Sequence, residues 1–191
     1  MLFDPVLATL TVRQALARRR WMIVTLVAAI PIAVALLFRI YGVDVETPIT
    51  TMAAVFPTLI VGAVIPIIAL VLASASFGTE VDDGTVVYLL TKPVARTRIA
   101  VTRLLVTGAL CAAFGAGSTL IAGLLLVGHF DTTGLVAGFA VGAAVGSVLY
   151  GAIFLTLGLI TRRGLLIGLV YLIVWEGALG RLFAGTRVFS V

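Results

Sequence analysis

The chain has 191 residues, of which 62% are hydrophobic and 11% charged, and its mean hydropathy is +1.26. A water-soluble domain carries about 25% charged residues, so a soluble enzyme or globular binding module is excluded. The formal charge of +5 does not point to nucleic acid. The basic residues stand in short clusters beside apolar runs, which is how cytoplasmic membrane faces meet anionic lipid.

The composition predicts an all-α membrane protein, with one transmembrane domain over residues 1–191. Residues 1–20 read as an N-terminal interfacial amphipathic helix. Asp4 can cap it and Pro5 suits its first turn. Phe3, Val6, Leu7, Leu10 and Ala17 share one face, with Thr11 and Arg18 largely opposite; a disordered basic tail is the alternative. The first span, about 21–38, follows Arg18, Arg19 and Arg20 and lies between Trp21 and Tyr41, where belt aromatics sit. The preceding stretch is too long for a cleaved leader, so the span is expected to be retained.

A short polar loop with Asp44, Glu46 and Pro48 leads to a second span, about 51–77, containing Pro57 and Pro66. Prolines of this kind are tolerated in lipid and kink helices. The polar segment 78–103 follows, then a third span, 104–127. His129 and Asp131 lie in the next turn, where a solvated loop histidine is the expected role. The fourth span, 135–160, opens with Gly138, Gly142 and Gly146 at i, i+4 spacing. Small residues so placed let helix backbones approach closely; lining a substrate path is the alternative. Arg162 and Arg163 precede a short fifth span, 165–179, with Glu176 near its end. That carboxylate is an intramembrane polar site or a group reaching the interface, with Arg181 or Arg187 as candidate partners.

Ten of the 13 basic residues fall on one set of loops: Arg13, Arg18, Arg19, Arg20, Lys92, Arg96, Arg98, Arg103, Arg162 and Arg163. Arg39, Arg181 and Arg187 fall on the other. The positive-inside rule therefore predicts a multi-pass protein with a cytoplasmic N-terminus and a cytoplasmic 78–103 segment.

Chemistry is scarce. One cysteine, Cys111, and one histidine allow neither an intramolecular disulfide nor a metal-ligand set. Lys92 is the single lysine and stands outside any Gly-rich phosphate loop, which needs Gly-Lys-Ser/Thr. No catalytic site is expected. The informative stretch is 78–103. Thr85 to Leu90 predicts a short helix presenting Val86, Tyr88, Leu89 and Leu90, ended by Pro93, which lacks an amide donor. Such exposed apolar groups need a partner or a lipid surface. The acidic group Glu80, Asp82 and Asp83 is either a solvated helix start, with Thr79 as its cap, or a contact for basic groups on a partner.

The pattern Glu80, Gly84-Thr85, Leu89-Leu90, Pro93-Val94, Arg96, Ile99 and Arg103 resembles the cytoplasmic loop of ABC-2 type transporter permeases. The order of amphipathic helix, span, short outer loop and span agrees with that family, as does Trp175-Glu176 in span five. The resemblance implies a permease subunit of an ATP-driven transporter, an exporter, working by alternating access. It implies that Glu80, Gly84, Thr85, Val86, Tyr88, Leu89, Leu90, Lys92, Pro93 and Arg96 dock on a separate ATP-binding subunit. ATP and Mg would then sit on that partner, with none on this chain. A second permease copy or paralogue and membrane lipids are further implied partners, and the bacterial cytoplasmic membrane the location. The family has six spans, whereas five are read here before Val191. A membrane scaffold or assembly protein is the alternative function, and a membrane-embedded enzyme a weaker one. Few polar groups line the spans, which suits a lipophilic cargo.

Overall fold

In a bilayer every backbone polar group must be satisfied within the protein, and helices do this segment by segment. The computed structural model describes residues 5–17, 20–41, 54, 56–82, 96–127, 133–161 and 164–173, and these are helical apart from short connections. The helices are α1 (Pro5–Ala15), α2 (Arg20–Ile40), α3 (Ile65–Asp82), α4 (Arg96–Val127), α5 (Thr133–Ile160) and α6 (Gly164–Leu172). A π-helical stretch, Pro57–Val64, runs straight into α3. Among the described residues four stretches are long and apolar enough to cross a membrane: Arg20–Ile40, Pro57–Ser76, Thr97–Val127 and Gly134–Ile160. The expected fifth span begins as α6, and residues beyond 173 lie outside the described set.

The helix boundaries differ from the sequence reading in one consequential way. α3 continues to Asp82 and α4 starts at Arg96, so both ends of the expected 78–103 loop are helical. Each polar end simply prolongs a helix already nucleated in the apolar layer, where adding a residue is cheap.

The widened turn before α3 has a local cause. Pro66 has no amide to donate, and its ring crowds the carbonyl four residues back. The helix accommodates this by taking in an extra residue per turn, with the Ile65 amide donating to the Ile60 carbonyl in the i→i+5 pattern. This stretch and α3 form the centre of the bundle: 56% of their apolar window is buried, against 22% for α2. The core has two layers. Near α1, Ala15, Val24, Ile68, Leu72, Cys111 and Phe154 pack together. At the other end Ala35, Phe56, Ile60, Ile65, Val136 and Ala143 do so, with Phe56 edge-on to Phe139 at 5.8 Å.

α1 packs on α3 and α4, with Thr11 and Ala15 buried while Val6 and Leu10 stay 68% and 50% exposed. Val6 and Leu10 thus share one face and Thr11 lies on the other, the division expected from the sequence. The narrow small-residue side meets the bundle, and the apolar face is left outward, where lipid suits it.

The largest interface joins α4 and α5, and small residues make it. A side chain at Gly115 would run into Ser147 Oγ, and one at Gly151 would meet Cys111 Sγ at 3.4 Å and Gly108 Cα at 3.8 Å. The Gly138, Gly142, Gly146 ladder does not take part. A Cβ at any of the three would meet nothing within 4 Å. Within one chain, close approach therefore falls to Gly108, Gly115 and Gly151, because the α5 face that turns to α4 is the one carrying Ser147 and Gly151.

Gly115→Val is expected to destabilise the folded protein by about 1–3 kcal/mol, the usual cost of overpacking. The Ser147 hydroxyl can rotate, but the new Cβ would still lie 3.4 Å from Ser147 Cβ and 3.5 Å from Ile65 Cγ1. Gly142→Ala should be neutral or stabilising by up to about 1 kcal/mol through helix propensity. Thermal unfolding of both variants in the same detergent checks the contrast.

Candidate functional site

α3 and α4 leave the apolar layer together at the α1 end and bracket residues 83–95. The sequence placed most of its candidate contacts in that interval. Gly84, Thr85, Val86, Tyr88, Leu89, Leu90, Lys92 and Pro93 lie outside the described residues, as does Glu176. Glu80 belongs to the last turns of α3 and Arg96 opens α4. The structure thus brings the two flanks of the segment to one end of the bundle, on neighbouring helices.

Above those flanks lies a cluster that the sequence reading did not assemble. Ser76, Thr102, Arg103 and Thr107 are all buried, with Arg103 only 3% exposed. The Arg103 guanidinium donates to the Ser76 backbone carbonyl. The Ser76 hydroxyl lies 2.8 Å from that of Thr107 and 3.2 Å from the Leu72 carbonyl. Arg103 and Thr107 are one turn apart on α4, so they share the face turned to α3. In sequence Arg103 looked like one more basic residue flanking a span. The available signal was its i, i+4 spacing from Thr107, together with Ser76 at the polar end of an otherwise apolar helix.

These contacts are strong for their setting. A hydrogen bond to a charged donor contributes about 1.5–3 kcal/mol net, and stranding a buried polar group costs more than never having placed it there. Arginine suits the position because its fork of donors is fixed and its charge is not readily lost. The arrangement holds and orients helices. It presents no nucleophile and base in contact, and among the described residues no three His, Cys, Asp or Glu side chains converge as a metal would need.

The opposite end of the bundle carries an open apolar groove of about 480 Å³, lined by Val61, Gly134, Leu135, Gly138, Phe139, Gly142 and Ala143. Gly138 and Gly142 of the ladder lie along it, and their missing side chains leave it open. Among the described residues no ionisable group lines it.

The Ser76–Thr107 contact predicts a non-additive mutational pair. Ser76→Ala and Thr107→Val should each cost about 1 kcal/mol. The double variant should cost little more than the larger single one, since both remove the same bond. A double-mutant cycle on thermal stability in detergent measures the coupling.

Compared with known families, residues 15–175 match the model described as ABC-2 family transporter protein. The match runs from the end of α1 through all the later helices. No curated protein and no solved structure matches the chain.

Proposed function

The chain belongs to the ABC-2 transporter family, and from that membership we propose that it is the permease subunit of an ATP-driven exporter of the bacterial cytoplasmic membrane. It is a multi-pass transmembrane component of an ABC transporter, and the hydrolytic chemistry of such a transporter belongs to its ATP-binding partner. In this reading ATP and Mg are bound there, and the present chain supplies a pathway and a lever. The pathway alternates access between the two sides of the membrane. The lever is the segment between α3 and α4, with Gly84, Thr85, Val86, Tyr88, Leu89, Leu90, Lys92 and Pro93 against the partner and Glu80 and Arg96 at its flanks. The N-terminus and this segment are cytoplasmic, and a second copy or a paralogue completes the dimer.

The observation that carries the reading is the family match over residues 15–175. The bundle supports it physically. α3 runs on past its apolar stretch, which ends at Ser76, to Asp82, and the neighbouring α4 opens at Arg96 at the same end of the bundle. Any body that moves residues 83–95 therefore acts on two neighbouring helices.

Affinity purification of the tagged chain from native membranes is expected to bring down a P-loop ATPase. Leu89→Asp and Thr85→Arg should each lower the recovered ATPase about tenfold or more, equivalent to at least ~1.4 kcal/mol of binding. Gly142→Ala should leave recovery unchanged. Full recovery with both loop variants would remove residues 84–93 from the partner contact.

A further inference from the structure

We propose that Arg103 is a positioning residue that locks α3 to α4 at the membrane edge, so that displacement of the 83–95 segment moves both helices as one lever. The proposal rests on the permease reading for its source of motion. The lock itself is a property of this chain.

Two helices joined only by a connecting segment respond separately when that segment is pulled, because each can tilt or fray at its own end. A tie across the pair changes this. Ser76 stands six residues before Asp82, the end of α3, and Arg103 seven residues after Arg96, the start of α4. On both helices the tie therefore lies between the 83–95 segment and the rest of the span.

A single tie would act as a pivot. Here there are two, one turn apart on α4: Arg103 to the Ser76 carbonyl and Thr107 to the Ser76 hydroxyl at 2.8 Å. Both converge on one residue of α3, one through its backbone and one through its side chain. Burial excludes competing water, since Ser76, Thr102 and Thr107 are each 0% exposed. α1 packs on the same two helices, with Thr11 and Ala15 buried. A lysine would offer one compact ammonium on a flexible stem in place of a planar fork, so it can keep the charge without keeping the geometry.

The test uses the full chain in lipid nanodiscs with Cys111→Ala, spin-labelled at cysteines replacing Ser74 on α3 and Leu105 on α4. With Arg103 present, the 74–105 distance distribution should be narrow. Arg103→Gln should broaden it about twofold or shift it by about 1–2 Å, the scale of helix sliding at an interface, and Arg103→Lys should fall between. A distribution unchanged in Arg103→Gln would overturn the lock. If that variant fails to accumulate, Arg103→Lys decides in the same way.

The second arm uses the complex with its ATPase, labelled in pairs from Leu26 on α2 to position 74 and from Leu26 to position 105. ATP with vanadate should shift both pairs together in the Arg103 protein. In Arg103→Gln it should shift only one of them, or both by unequal amounts, while ATP hydrolysis persists. A purely structural role would lower yield and melting temperature but leave the two shifts matched, and matched shifts in Arg103→Gln would overturn the lever. If no ATPase accompanies the chain, the permease reading fails by itself, and the first arm still decides whether Arg103 locks the helices.

Discussion

Close approach of α4 and α5 is the contact on which the bundle depends. Lipid tails are as apolar as leucine, so burying a leucine between helices gains little in a membrane. What remains is van der Waals packing, and that grows with proximity. At Gly115 even a Cβ would run into Ser147 Oγ, while Gly108 and Gly151 bring the backbones within ordinary van der Waals contact of Val148 and Cys111. α3 then lies against this pair, α2 flanks α3 and α4, and α6 packs onto α3 and α5. Leu70 and Phe154 press against Gly168 to seat α6, and Phe154 meets Tyr171 edge-on at 6.2 Å.

Polar groups have a second role at the α1 end. Ser and Thr hydroxyls inside the helices mostly return to their own backbone: Thr119 donates to Gly115, Ser147 to Ala143 and Thr156 to Ala152. Such bonds satisfy a hydroxyl without linking helices. Ser76, Thr107 and Arg103 differ in reaching across. Their position at the edge of the apolar layer is physically sensible, because an arginine costs less there than at the bilayer centre. They join the last buried turn of α3 to the first buried turns of α4.

The opposite end is looser. The π-helical stretch has a different pitch from α5, and the glycine ladder leaves space between them instead of filling it. Gly134, Gly138 and Gly142 line the groove there, and Phe139, which also lines it, packs edge-on against Phe56.

Composition and periodicity alone determined that the chain is a helical membrane protein of several spans and that it resembles the family whose model it matches. Those features follow from transfer of apolar residues into lipid and from local turn chemistry, both of which act one segment at a time. Only the tertiary structure decided which glycines pack, because the i, i+4 pattern of Gly138, Gly142 and Gly146 is indistinguishable in sequence from a contact face until the partner helix is placed. It also decided that α1 docks by Thr11 and Ala15, since the stronger apolar face is equally content in lipid. Arg103 is the sharpest case. A span-flanking arginine reads as a marker of orientation, and its engagement with Ser76, 27 positions away, exists only once α3 and α4 lie side by side.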